Sequence, residues 1–251
     1  MNHSRFVGAV VLAVALSACG GGSGGGDNTT SNQNVQTQSN TEPTSPQNGI
    51  YYNSDRFAVA LVDKDAANNG LFVIDYPKES LFHGKTITVG SNTIETSGIY
   101  FNAGRLTIRS GGNPTKATFT AQGLEYDVGS LASFDASSYT GLKKAGASIA
   151  MNELVGTFTG GTSGGDQIQI DSAGNITLTL SNGCTFDNAV ISRTKDYYYS
   201  ATSVTGTGCP ITSDNGNNFT LKLFTVKHQS ADYIFAVAYN ATLSGWTVIK
   251  K

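Results

Sequence analysis

The 251-residue chain carries 16 Lys plus Arg against 18 Asp plus Glu, a net charge of −2, and only 14% of its residues are charged. That balance offers no basic face to neutralise phosphates, which excludes nucleic acid as a partner. Hydrophobic residues at 39%, with 10% aromatic, exclude a wholly disordered chain. No internal apolar run reaches the roughly 20 residues of a membrane-spanning helix.

Residues 1–18 have the pattern of a secretory signal peptide. His3 and Arg5 give a short polar and basic start, and Phe6 to Leu16 form an apolar run of matching length. The run ends in Leu16-Ser17-Ala18-Cys19, which resembles the lipobox of bacterial lipoproteins. That resemblance implies removal of residues 1–18 and acylation of Cys19 by palmitate-like chains on its thiol and its new amino terminus. Two acyl signals already give stable anchoring, so the membrane itself is an expected partner. Gly20 follows the Cys where an Asp would imply inner-membrane retention, so the expected location is the outer membrane. Whether the body is surface-exposed or faces the periplasm stays open.

Residues 19–49 comprise the lipidated Cys and a flexible tether rich in Gly, Ser, Thr, Asn and Gln, with Val35 its only large apolar residue before Ile50. Such a segment cannot offset the entropy of ordering. Its coil dimension is roughly 30 Å and its full stretch about 100 Å. Losing residues 1–18 removes Arg5 and no acid, so 15 basic residues face 18 acidic ones and the mature charge is −3.

From Ile50 onward the chain reads as all-β, with short strands separated by Gly, Asn, Asp and Ser. Phe57, Val59 and Leu61 alternate, as do Ile87 with Val89, Leu106 with Ile108, and Ala117, Phe119 and Ala121. Further on come Ile168 and Ile170, then Ile176, Leu178 and Leu180, then Phe219, Leu221 and Leu223, and finally Tyr233, Phe235, Val237 and Tyr239. Period-two alternation of this composition marks half-buried strands. Asn69-Gly70, Ala173-Gly174-Asn175, Asn182-Gly183 and Asn215-Gly216 supply turn chemistry between them. The expectation is antiparallel small β-barrel or sandwich modules: residues 50–140 as an N-terminal β module, 141–153 as a linker or short helix, and 154–251 as a C-terminal barrel-like module. The last is expected to hold about seven or eight strands around an interior filled by side chains.

Cys184 and Cys209 are the pair left after Cys19 is lipidated, and an even pair in an exported chain reads as a disulfide. The run Gly156-Thr157-Phe158-Thr159-Gly160, followed by Asp171 to Ile176 and by Gly183-Cys184-Thr185-Phe186, resembles a β module of proteobacterial lipoproteins. Asn188 stands where that module carries a Gly. Lipobox, tether and β body together are similar to surface lipoproteins of the transferrin-binding and factor-H-binding type, whose barrels bind host proteins. No ligand-contacting motif of those families can be matched to residues of this chain.

Catalytic chemistry finds little support. No G-x-S-x-G occurs, and His83 and His228, the mature chain's two imidazoles, read as a strand-end residue and an exposed turn residue. Asp63 and Asp65 precede Asn68-Asn69-Gly70 with the wrong spacing for a calcium loop and read as a polar hairpin turn. No metal site and no cofactor are expected. Tyr197, Tyr198 and Tyr199 form the candidate binding surface, although alternation sends at least one of them into a core. Trp246 reads as a barrel plug. The expected function is a non-enzymatic outer-membrane lipoprotein that binds a protein or envelope partner. The alternative is a periplasm-facing lipoprotein that assists or inhibits an envelope enzyme or assembly machine.

Overall fold

The computed structural model describes residues 45–251, apart from 67, 104–105, 111–113, 130–137, 162–163, 211–214 and 242. The segment expected as signal peptide, Cys19 and the segment expected as tether up to residue 44 lie outside the described residues. The body is almost wholly antiparallel β-sheet, arranged as two barrels rather than a sandwich.

The first barrel is built from β1 (Gly49–Asn53), β2 (Ala58–Val62), β3 (Asn68–Asp75), β4 (Ser80–Val89), β5 (Thr93–Ala103), β6 (Leu106–Ser110), β7 (Thr115–Thr120), β8 (Gly123–Asp127) and β9 (Tyr139–Lys144). Pairing of β4 with β5 and of β1 with β9 closes eight of these strands on themselves. One edge of β5 is divided, its first residues pairing with β7 and its last with β6, so β6 stands outside the closed ring. Gly141 to Lys144, read from sequence as linker, therefore belong to the closing strand. The buried side chain of Leu142, opposite Leu124, holds them there.

An extended stretch, residues 145–150, crosses to the second barrel and ends in a single helical turn, α1 (Met151–Leu154), whose Leu154 is buried in that barrel's core. Polar contacts pin the crossing. Ser148 Oγ donates to the Tyr197 carbonyl at 2.7 Å, and Arg193 Nη2 donates to the Ser148 and Ile149 carbonyls at 3.0 Å each.

The second sheet comprises β10 (Gly156–Gly160), β11 (Asp166–Ile170), β12 (Asn175–Thr179), β13 (Thr185–Val190), β14 (Ser192–Lys195), β15 (Tyr198–Thr207), β16 (Gly216–His228), β17 (Ala231–Tyr239) and β18 (Ser244–Lys250), with β14 paired to β15 alone. It curls into a nearly closed barrel in which side chains bridge the gap: Thr247 on β18 donates to Asp166 Oδ2 on β11 at 2.6 Å. Local chemistry explains its hairpins. Asp171 Oδ1 accepts from the backbone of Ala173 and Asn175, and Gly174 takes the left-handed conformation at φ 83° that the turn requires. Asn188, in the place expected for a Gly, has φ 55°, a backbone conformation that Asn tolerates better than most residues. Cys184 and Cys209 form the disulfide, joining the start of β13 to the segment after β15. Strand β15 runs through Thr207, two residues before Cys209.

Each barrel fills its interior with one face of its strands. Ala58, Ala60, Val62, Leu71, Val73 and Phe82 belong to the first core, and Leu221, Leu223, Ile234, Ala236 and Ala238 to the second. The opposite faces of the same strands form a third core. Phe57, Val59, Leu61, Phe72, Ile74 and Leu81 of the first barrel pack there against Phe224, Val226, Phe235, Val237, Tyr239 and Val248 of the second. Strand β2 is consequently buried on both faces, as is β17 from Ile234 to Tyr239. Removing a large apolar side chain from water is worth about 2 kcal/mol, so this seam welds the barrels into one body. The residues expected to mark a half-buried strand, Phe235, Val237 and Tyr239, face the seam and not the barrel interior. Trp246 also lies on the seam side, since the inward position beside it is Gly245, where a Cβ would crowd Leu180 and Phe186.

Candidate functional site

The seam collects the polar groups that sequence reasoning had scattered. The hairpin joining β2 to β3 begins with Asp63, whose backbone N–H donates to the Gly70 carbonyl at 2.7 Å. Gly70 is required there by close approach, because a Cβ would lie 2.3 Å from the Asp63 carbonyl oxygen. The hairpin expected from sequence is present, but Asp63 is 4% exposed and faces the other barrel. Tyr198, on β15, donates its phenolic proton to Asp63 Oδ2 at 2.7 Å. Asp63 Oδ1 and the Tyr197 hydroxyl are buried with no hydrogen-bond partner among the described residues.

Three more contacts cross the seam. His83 lies fully buried within β4, not at a strand end, and stacks on Phe72 with 4.4 Å between ring centroids. Its Nδ1 is 2.6 Å from Ser244 Oγ on β18, and its Nε2 is 2.8 Å from Asn69 Oδ1. The carboxamide oxygen is an acceptor, so Nε2 carries the proton and Nδ1 accepts from Ser244. Burial, reinforced by the nearby charges of Lys85 and Lys222, holds the imidazole pKa down at about 3, so it is neutral under ordinary conditions. Lys222, on β16, reaches the Asn69 carbonyl oxygen at 3.3 Å, with its amine over the rings of Tyr198 and Phe72. Desolvation lowers its pKa to about 8, against the opposing pull of Asp63. At the margin, Lys195 pairs with Asp65 at 3.3 Å.

The other end of the seam is aromatic. His228 is half-buried, not an exposed turn residue, and stacks on Phe57 at 4.0 Å with an interplanar angle of 7°. The Tyr52 hydroxyl bonds its Nδ1, and the edges of Tyr76 and Tyr233 pack against Phe57.

The candidate surface of three tyrosines is not one. Tyr197, Tyr198 and Tyr199 are 8%, 4% and 1% exposed. The first two lie in the seam and the third in the second barrel, where its hydroxyl donates to the Ile149 carbonyl at 2.7 Å and its ring carries the Arg193 guanidinium. Burial raises the hydroxyl pKa values of Tyr197 and Tyr198 well above the usual range. Alternation placed one tyrosine inside correctly, but it carried no sign of a second body covering the other face. Sequence reasoning missed Lys222 altogether. Its signal was a lysine on the same strand face as Phe224 and Val226.

Among the described residues no group of three or more His, Cys, Asp or Glu is placed to hold a metal ion. What the seam offers chemically is a buried amine, a buried carboxylate with a spare oxygen, and a carboxamide gripped by a neutral imidazole. Compared with protein-family models, with curated proteins and with solved structures, the chain matches none.

Proposed function

We propose that this chain is a lipid-anchored outer-membrane lipoprotein whose fused two-barrel body binds a protein or envelope partner without acting on it chemically. The observation that carries this reading is the shared core between the barrels. Fusion makes the hairpin ends of both barrels one rigid array, and a rigid surface loses little conformational entropy on binding. The groups with perturbed protonation, His83 and Lys222, are engaged inside the seam in contacts between the barrels, where their chemistry serves the body itself. Cys19 and the Gly/Ser/Thr/Asn tether supply the anchor and the reach in this reading.

Protease shaving of intact cells, with a lysed control, tests it. Cleavage of the body on intact cells is the expected result and directs the search for partners to host and surface proteins. Protection until lysis puts the body in the periplasm, overturns binding of host or surface partners and favours the alternative role beside an envelope enzyme or assembly machine. Metabolic labelling with a palmitate analogue, lost in Cys19→Ala, checks the anchor separately.

A further inference from the structure

Lys222 is a buried ammonium with few acceptors in the seam. Its ammonium has three donors, yet among the described residues its hydrogen bond is to one acceptor, the Asn69 carbonyl oxygen at 3.3 Å. The remaining neighbours of the amine are aromatic faces, 4.8 Å to the Tyr198 centroid and 5.3 Å to that of Phe72. A buried ammonium so poorly matched is costly, whereas a neutral amine in the same place is a nucleophile. The residue it touches carries a carboxamide, and His83 Nε2 donates to the oxygen of that carboxamide at 2.8 Å. Asp63 sits across the hairpin from Gly70, the next residue after Asn69, with a carboxylate oxygen that lacks a partner among the described residues.

We propose that Lys222 and Asn69 condense into an intramolecular isopeptide bond that ties the second barrel covalently to the first. The Nζ lone pair attacks Cγ of Asn69, and the His83 Nε2–H stabilises the negative charge that develops on Oδ1. The Asp63 carboxylate, not ion-paired with Lys222 but close enough for its charge to act on it, relays one proton from Nζ to the departing amide nitrogen. One C–N bond forms, one breaks, and ammonia leaves, with no oxidant, reductant or co-reactant. The product amide keeps a single N–H donor, which suits the one acceptor that Lys222 reaches among the described residues.

The wild-type protein, extracted from membranes, reduced and digested with trypsin, decides the matter. If the bond is present, Lys222 resists cleavage, and Asp65–Lys78 is recovered as a branched species with Asp196–Lys227, lighter than the sum of the two by one ammonia. Lys222→Met removes the branched species. Recovery of linear Asp65–Lys78 together with Asp196–Lys222 and Leu223–Lys227 overturns the proposal, whether Asn69 is intact or deamidated through its Gly70 neighbour. The wild-type map is sufficient even if a variant fails to fold.

Discussion

Tyr198 of the second barrel donates a 2.7 Å hydrogen bond to Asp63 of the first, between two side chains that are both buried. The bond spans 135 positions of the chain and satisfies one oxygen of a carboxylate that has no other partner among the described residues. Removing the hydroxyl leaves both oxygens of a buried carboxylate without a hydrogen bond, which costs more than the bond itself contributes. Tyr198→Phe should therefore lower stability by about 2–3 kcal/mol, read from urea unfolding, and the loss should shrink when Asp63→Asn is already present.

The shared core predicts cooperativity. Phe224 and Phe235 stack at 5.0 Å on the seam face of the second barrel. Calorimetry should show one unfolding transition for both barrels in the wild type. Phe235→Ala should cost about 3–5 kcal/mol, because the rigid strands on both sides cannot collapse into the space left. A wild-type protein with two separated transitions would mean that the seam does not couple the barrels.

His83 sets an acid limb on stability. Its pKa is about 3 in the folded protein and 6.5 for the free side chain. Below 6.5 the unfolded chain takes up a proton that the folded chain refuses until about 3, so stability is intact at neutral pH and falls as pH drops through that window. The slope should approach about 1.4 kcal/mol per pH unit. Urea midpoints in buffers spanning the window should fall less steeply for His83→Gln than for the wild type.

The disulfide closes a loop across a sequence separation of 25. In the chain-entropy account that contributes about 3.5 kcal/mol. Cys184→Ser/Cys209→Ser should lower the melting temperature, and adding reductant to the double variant should then change nothing. The second barrel's core, which contains both sulfurs, should loosen first, visible as faster amide exchange in β13 and β15.

The sequence by itself determined the elements. Alternation, turn residues and the even Cys pair are local signals, so strands such as Ile168 with Ile170, the hairpin at Asp171–Asn175 and the Cys184–Cys209 bridge were legible along the chain. Even the place expected for a Gly was marked, since Asn188 adopts the left-handed backbone there. What alternation cannot encode is what each face meets. Tyr233, Phe235, Val237 and Tyr239 look the same whether they line a barrel, cover a sheet or meet another barrel. Only tertiary structure put β2 and β17 between two cores. It also closed Gly141–Lys144 into the first barrel and drew Asp63, Asn69, His83, Tyr198 and Lys222 together from five strands and turns. Strand pairing and seam packing are long-range contacts, and each polar residue finds its partner only after both barrels have closed.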